Sequence, residues 1–225
     1  MEHRYRTVLF DLDGTLADTS PGILRSVRHA EKEMGFAPLP EEELDQVIGP
    51  PLAQSFPQMY GIDPETTRRM IQVYRAFYWE EGVLDIRVFD GMRELLDALQ
   101  ERKVHLGVAT MKLRPYAEKT LSHAGLLEYF STISSFADGE ESTKARLIRR
   151  AMADLGESDP SRVLMVGDSV FDSRGAAEAG VDFAAVTCGF GLSDPEALAR
   201  YPYVVAAGDI HQLADWLLPR VEAGE

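Results

Sequence analysis

Residues 5–15 read YRTVLFDLDGT, a short apolar run that ends abruptly at two acidic residues. The run over residues 5–10 is typical of a buried strand. Asp11 and Asp13 stand two positions apart where this strand ends, so their carboxylates can point to the same side. Two carboxylates about 4 Å apart repel each other by roughly 4 kcal/mol at an effective dielectric near 20, so they need a cation or a shared proton. The alternative interpretation is an ordinary turn built from Asp and Gly.

The rest of the chain alternates between apolar runs and helical patterns. We predict further strands over residues 104–109, 132–135, 162–166, 182–187 and 203–206. We predict helices over residues 91–102, 114–124, 143–155, 172–179 and 210–218. Strands that alternate with helices predict an α/β fold, here a Rossmann-like parallel sheet with helices on both faces.

One block interrupts this alternation, because residues 17–85 contain no convincing strand. Helical patterns broken by prolines cover residues 22–34, 42–47, 52–60 and 64–79. We therefore predict a core made of residues 1–16 and 86–225, with an all-helical domain inserted at residues 17–85. The insert follows the strand end that bears Asp11, and that end of a parallel sheet borders the usual ligand crevice. We expect it to act as a lid, although a packing appendage is the alternative.

A second acidic pair follows another predicted strand, in residues 167–172, which read GDSVFD. Asp168 stands at the strand end and Asp172 at the start of a helix. Asp172 could simply cap that helix. Two acidic pairs at the carboxyl ends of two strands are nevertheless what an oxygen-ligated Mg²⁺ site requires.

Two single residues complete this edge of the predicted sheet. Thr110 follows the strand at residues 104–109, and its hydroxyl could donate to a phosphate oxygen. Lys144 opens a helix, where a lysine is usually a solvated surface residue. Together with the acidic pairs they supply a carboxylate nucleophile, a metal site, a hydroxyl and an ammonium group. These groups suit phosphoryl transfer through an aspartyl phosphate.

The composition excludes several other classes of protein. The chain has 225 residues, with 23 Lys+Arg against 37 Asp+Glu and a formal net charge of -14. This charge argues against binding to nucleic acid and against polybasic attachment to a membrane. The sequence shows no signal peptide and no apolar run near the roughly 20 residues of a membrane span, so we expect a cytoplasmic protein. The single cysteine, Cys188, rules out an intramolecular disulfide framework.

Four motifs, in this order, resemble those of the haloacid dehalogenase-like hydrolase superfamily, which is dominated by phosphatases. They are DLDGT, Thr110 in VATMK, Lys144, and GDSVFD followed by SRGAAEAG. The resemblance covers nearly the whole chain. The helical insert resembles the cap domain of one large subgroup, in which the chain is most similar to phosphoglycolate phosphatase-like and bacterial nucleotidase-like members.

The resemblance implies a role for each catalytic position. Asp11 would be the nucleophile that takes the phosphoryl group. Asp13 would protonate the leaving oxygen and then activate the water that hydrolyses the aspartyl phosphate. Thr110 would hold the transferring phosphoryl oxygens. Lys144 would neutralise and orient Asp11.

The resemblance also implies a metal site and a source of positive charge for an anionic substrate. Asp168 would bind Mg²⁺, joined by the Asp11 carboxylate and the Asp13 backbone carbonyl. Asp172 would support the metal directly or through water. Mg²⁺ and Lys144 would together offset the repulsion between a phosphate dianion and a carboxylate.

The sequence departs from the family at Met111, where relatives often have Asn or Ser. A methionine side chain cannot donate a hydrogen bond, so this departure puts the identity of the substrate in doubt. Besides Thr110, the candidates for substrate binding are Lys112, Gly49 and Arg25, with a surface lysine as the alternative interpretation of Lys112.

The expected function is a Mg²⁺-dependent phosphatase that acts on a small soluble phosphomonoester and is phosphoglycolate phosphatase-like. A nucleotidase or an inorganic pyrophosphatase of the same superfamily is the alternative. A sugar-phosphate mutase and a phosphorylation-dependent interaction module are less favoured. A dehalogenase is disfavoured because Asp13 supplies an acid that it would not need. The partner is a small phosphorylated metabolite, and both a monomer and a homodimer are left open.

Overall fold

The computed structural model of the chain describes residues 4–137, 142–192 and 195–222. The strands in chain order are β1 (Thr7–Phe10), β2 (Ala17–Asp18), β3 (Arg87–Val88), β4 (His105–Leu113), β5 (Thr132–Phe136), β6 (Val163–Gly167), β7 (Asp182–Val186) and β8 (Val205–Ala207). The helices are α1 (Ser20–Met34), α2 (Glu41–Leu44), α3 (Leu52–Tyr60), α4 (Pro64–Glu80), α5 (Met92–Glu101), α6 (Arg114–His123), α7 (Lys144–Asp154), α8 (Val170–Ala179), α9 (Pro195–Leu198) and α10 (Ile210–Leu217).

Six strands form one parallel sheet in the order β5-β4-β1-β6-β7-β8, so the predicted parallel sheet is confirmed. β1 lies in the middle and is buried on both faces, which explains its continuous apolar sequence. Leu9 belongs to an apolar cluster with Leu147 of α7 and Ala176 of α8. Val8 and Phe10 alternate with Leu9 and therefore point to the opposite face. Helices cover the sheet, and none within the described residues is long and apolar enough to cross a membrane.

β4 corrects one prediction about the edge of the sheet. We expected this strand to end at residue 109, with Thr110 at its end, but it continues to Leu113. Its register to β5 shifts between Ala109 and Leu113, where Leu113 pairs with Phe136. The apolar run stops at this irregularity while the backbone pairing resumes beyond it. The extension carries Thr110 and the two residues after it past the regular part of the sheet.

The chain divides into two compact units, Met1–Asp18 with Val88–Glu225 and Thr19–Arg87. The assignment of the second unit as a cap that acts as a lid remains a prediction. The expectation that residues 17–85 contain no strand is wrong, because β2 lies in this range and pairs with β3 in a two-stranded sheet. The two short strands stand where the chain leaves one unit and returns to it. Segments of two residues are too short for a hydrophobic period to show.

The helical unit contains α1 to α4 and is held together by close backbone contacts. At Gly22, an added Cβ would lie 1.9 Å from the carbonyl oxygen of Gly82, so only glycine fits there. A buried carboxylate, Glu31 of α1, joins this helix to two further segments of the unit. It pairs with Arg28 at 2.9 Å, accepts from the Tyr60 hydroxyl at 2.8 Å and accepts from the Leu39 amide at 2.9 Å.

Candidate active site

Three carboxylates converge at the carboxyl edge of the parallel sheet. Asp11 directly follows β1 and Asp168 directly follows β6, its neighbour in the sheet. The Asp11 amide donates to the Val166 carbonyl at 2.9 Å, which continues the pairing beyond β1. Oxygens of Asp11, Asp168 and Asp172 lie within 4.8 Å of one another, and all three residues are buried. The structure therefore brings together three of the acidic residues expected at this edge.

A glycine-containing loop holds Asp168 and had no place among the predicted site residues. Asp168 Oδ2 accepts from the amides of Phe190 at 2.7 Å and of Gly191 at 3.3 Å. A Cβ added to Gly189 would lie 2.4 Å from the same oxygen, so a side chain at this position would collide with the carboxylate. A Cβ added to Gly14 would lie 2.3 Å from Asp168 Oδ2, so a side chain would collide with the carboxylate there too. Gly14 has a φ of 76°, a conformation that favours glycine. The Gly-Phe-Gly sequence gives only a weak signal, because its partner is far away in the chain.

Asp172 is not the N-cap that we considered; it is the third residue of α8, where it takes part in capping the helix and also belongs to the acidic cluster. Ser169 is the N-cap of α8, and its hydroxyl donates to Asp172 Oδ2 at 2.6 Å. The Ser169 amide donates to the same oxygen at 3.0 Å. These bonds fix one carboxylate oxygen, while Oδ1 lies 2.6 Å from the ammonium of Lys144.

Lys144 is the buried cation of the cluster, and it is the first residue of α7 as the sequence predicts. Its Nζ lies 2.8 Å from Asp11 Oδ1 as well as 2.6 Å from Asp172 Oδ1. Burial alone would lower the pKa of Lys144, but the charges of Asp11 and Asp172 more than offset it. The pKa therefore lies above its ordinary value, and the ammonium stays charged.

Two of the three carboxylates in the cluster have raised pKa values. Burial, followed by the charges of Asp172 and Asp11, raises the pKa of Asp168 from 3.8 to about 8. Burial raises the pKa of Asp11 to about 6, although Lys144 opposes the change. Buried oxygens that repel one another suit a hard divalent cation such as Mg²⁺, which prefers carboxylate ligands. The residues present therefore fit a magnesium site.

Asp13 faces a second lysine at the rim of the site. Lys112 Nζ lies 2.7 Å from Asp13 Oδ1 and 2.9 Å from Oδ2. Thr110 is buried, and its hydroxyl oxygen accepts from the Lys112 amide at 3.3 Å. Lys112, which we expected to reach the substrate, is thus placed on Asp13 in this structure.

Met111, the residue at which the sequence departs from the family, packs into the core. Its side chain packs against the apolar cluster that contains Leu147 and Met165. Successive residues of an extended strand point to opposite faces, so Met111 packs inward between Thr110 and Lys112. The methionine anchors the end of β4 in the core.

The remaining predicted substrate contacts belong to the helical unit. Arg25 forms ion pairs at 3.1 Å with both Glu81 and Asp85. Gly49 has a φ of 100°, a conformation that favours glycine. Their roles in substrate binding stay predictions.

Comparisons with known proteins agree with the family that the motifs suggest. The family model described as haloacid dehalogenase-like hydrolase matches residues 8–186. A 5'-nucleotidase of Pseudomonas aeruginosa is 39% identical over 192 residues, which are 85% of this chain and 86% of that protein. The tyrosine-protein kinase PtkA of Mycobacterium tuberculosis is 39% identical over 189 residues, which are 83% of this chain. The match spans only 64% of the length of that kinase.

A solved structure supports the same grouping. A protein from Clostridium acetobutylicum, described as a predicted phosphatase, superposes with a TM-score of 0.86 at 34% identity. The superposition covers 96% of this chain and 99% of that one. The family resemblance seen in the four motifs is thereby confirmed. The chain belongs to the haloacid dehalogenase-like hydrolase family.

Proposed function

We propose that the chain is a Mg²⁺-dependent phosphatase that hydrolyses a small phosphomonoester, as a phosphoglycolate phosphatase does, through an aspartyl phosphate on Asp11. The observation that carries this proposal is the contact of 2.8 Å between Lys144 and Asp11 inside the cluster of three buried carboxylates. A buried nucleophile held by a cation, beside a site for a second cation, suits attack on a phosphate dianion.

Asp11 supplies the nucleophile. Lys144 fixes Oδ1 of its carboxylate and keeps the group ionised, which leaves an electron pair on Oδ2 for the phosphorus. As the bond from Oδ2 to phosphorus forms, the bond from phosphorus to the ester oxygen breaks. When bound, Mg²⁺ would be held by Asp11, Asp168, the Asp13 carbonyl and Asp172, directly or through water, and would offset the charge of the phosphate.

Asp13 supplies the proton transfers. Its carboxyl donates a proton to the departing ester oxygen, which leaves as an alcohol. The resulting carboxylate accepts a proton from the water that attacks the phosphorus of the aspartyl phosphate. This second step releases inorganic phosphate and restores the Asp11 carboxylate. The Thr110 hydroxyl donates to the phosphoryl oxygens during both transfers.

The helical unit is proposed to be the cap that selects the substrate, with Arg25 and Gly49 as its contacts. A nucleoside monophosphate is the second candidate substrate, and the similarity to the nucleotidase of Pseudomonas aeruginosa favours it. Pyrophosphate and a sugar phosphate are the remaining candidates of this kind. We place the activity in the cytoplasm.

The test is a phosphate-release screen with Mg²⁺ over phosphoglycolate, nucleoside monophosphates, pyrophosphate and sugar phosphates. The wild-type protein is expected to release phosphate from at least one of them. Asp11→Asn should lower kcat at least about a thousandfold, as removal of a nucleophile does. The control is Asp97→Asn, which removes an exposed carboxylate bound to the Tyr129 hydroxyl at 2.6 Å and should keep wild-type rates. Wild-type rates in Asp11→Asn would contradict the assignment of the nucleophile.

The relative named a tyrosine-protein kinase requires one further arm of this screen. Wild-type protein is incubated with a nucleoside triphosphate and a tyrosine peptide. Phosphate released as the inorganic ion supports hydrolysis. Phosphate found on the tyrosine, without release from any ester, would replace the proposed function with phosphoryl transfer to protein.

A further inference from the structure

We propose that Lys112 is a positioning residue that orients the Asp13 carboxyl toward the leaving oxygen. This inference rests on the proposed function, since it gives Asp13 the proton transfers of a phosphatase. It changes the role that the sequence suggested for Lys112, which was direct contact with the substrate.

The contact between the two side chains is forked and largely shielded from water. Lys112 Nζ lies 2.7 Å from one oxygen of Asp13 and 2.9 Å from the other. The Lys112 side chain is 7% exposed and that of Asp13 is 20% exposed. A cation shared by both oxygens restricts rotation of the carboxyl group about its last bond. It therefore holds the carboxylate in one orientation. When Asp13 carries the proton, one oxygen keeps the contact with the ammonium and the other presents the proton to the leaving oxygen.

The backbone around Lys112 is fixed from both sides, so the lysine is a rigid support. Met111 packs into the apolar cluster on one face of the sheet. Leu113 resumes the pairing with Phe136 after the irregularity in β4. Between them, the Lys112 amide donates to the Thr110 hydroxyl oxygen. These contacts aim the side chain away from the apolar cluster, toward Asp13.

The distribution of charge favours a specific partnership between Lys112 and Asp13. Lys144 lies against Asp11 and Asp172, so the two lysines serve different carboxylates. Asp13 is two residues from Asp11, and its side chain is 20% exposed at the edge of the negative cluster. Without the Lys112 ammonium, the carboxyl group would lose its fixed orientation while the nucleophile and its own lysine stayed in place.

The experiment compares two leaving groups. An aryl phosphate releases a stable phenolate and needs little help from an acid, whereas an alkyl phosphate needs the proton. The value of kcat/KM covers the steps up to the departure of the leaving group and excludes hydrolysis of the aspartyl phosphate. It is measured with p-nitrophenyl phosphate and with an alkyl phosphate that the screen identifies, in wild type and Lys112→Met. The control, Lys103→Met, removes the same charge at the exposed residue two positions before β4.

For Lys112→Met, kcat/KM should fall about 30- to 100-fold for the alkyl ester and less than about fivefold for the aryl ester, within the range of general acid catalysis. Lys103→Met should change neither value. Equal falls for both esters would overturn the inference, because lost substrate binding and general loss of structure each act on both. If Lys112→Met does not fold, Lys112→Arg decides: a selective loss for the alkyl ester supports the inference, and an equal loss or none overturns it.

A double variant tests whether Lys112 acts through Asp13. Asp13→Asn removes the proton donor, so adding Lys112→Met should lower kcat/KM for the alkyl ester by less than about twofold more. If Lys112→Met lowers kcat/KM in the Asp13→Asn background as much as it does in the wild type, Lys112 acts independently of Asp13. That result would overturn this inference but not the proposed function. A wild-type protein that releases phosphate from no ester would overturn the proposed function, and this inference with it.

Discussion

Two buried acidic sites in this molecule follow opposite rules. Glu31, 2% exposed in the helical unit, is surrounded by donors from Arg28, Tyr60 and Leu39. Asp168, 3% exposed at the edge of the sheet, also accepts two amides, yet it shares its surroundings with two other carboxylates. Glu31 is a single charge with its own partners. The cluster holds more negative charge than the neighbouring lysine offsets.

Burial of a carboxylate does not by itself indicate function. A buried acid with matched donors joins segments of a fold. Buried acids that repel one another cost stability, and a site of this kind is retained where a ligand relieves the repulsion. Burial, followed by the charges of Asp172 and Asp11, raises the pKa of Asp168 to about 8. Replacing each carboxylate by its amide, Glu31→Gln and Asp168→Asn, should therefore affect the two sites differently.

The largest effect is expected from the metal. Chelation of Mg²⁺ should abolish phosphate release, and added Mg²⁺ should restore it. Asp168→Asn should weaken Mg²⁺ binding at least about 10- to 100-fold, since it removes a carboxylate ligand. Calorimetric titration of the protein with Mg²⁺ measures this loss directly. Glu31→Gln is the matched control and should bind Mg²⁺ with wild-type affinity; equal losses in the two variants would remove the distinction between the sites.

A smaller effect, opposite in sign at the two sites, is expected for stability without metal. Glu31→Gln should lower the free energy of unfolding by about 1–3 kcal/mol, because the Arg28 charge loses its partner. Asp168→Asn should raise it, because one of three repelling charges disappears. Each 1 kcal/mol shifts Tm by about 2–4 °C in a chain of this size. Thermal unfolding in chelator at pH 8.5 measures both variants, and a decrease in both would show that the cluster is not strained.

The smallest effect is expected in the pH dependence of metal-free stability. Between the ordinary pKa of 3.8 and the raised value near 8, folded Asp168 holds a proton that the unfolded chain releases. The folded state thus binds more protons, so this residue makes stability fall as pH rises through that window. Asp168→Asn should make the fall in Tm with rising pH shallower than in the wild type. The same slope in wild type and Asp168→Asn would contradict the raised pKa.

The sequence predicted those parts of the site that depend on chain order alone. Parallel strands end at a common edge, so the positions of Asp11 and Asp168 after two apolar runs were enough to predict that they meet. Lys144 was predicted as a site residue only in combination with the acidic pairs and Thr110, because a lysine at a helix start is usually solvated. The structure places it at the start of α7. The alternation of runs similarly predicted all six strands of the parallel sheet.

The parts that the sequence did not predict depend on tertiary contacts. Lys112 pairs with Asp13 at the irregular end of β4. The hydrophobic pattern of the sequence gives no sign of this shift in register. The loop at Gly189 supports Asp168 from 21 positions away in the chain. From the sequence, Met111 only put the identity of the substrate in doubt, and its packing against the apolar cluster is visible only in the fold.

In the proposed mechanism, Asp11 carries the phosphoryl group during the reaction. The most direct measurement traps that group in Asp13→Asn, which should form the aspartyl phosphate from p-nitrophenyl phosphate with Mg²⁺ but hydrolyse it slowly. After an acid quench, mass spectrometry should find one phosphoryl group on the peptide that contains Asp11, and none in Asp11→Asn treated in the same way. A phosphoryl group on another residue, or continued turnover of the ester with Asp11 unmodified, would contradict the proposed mechanism.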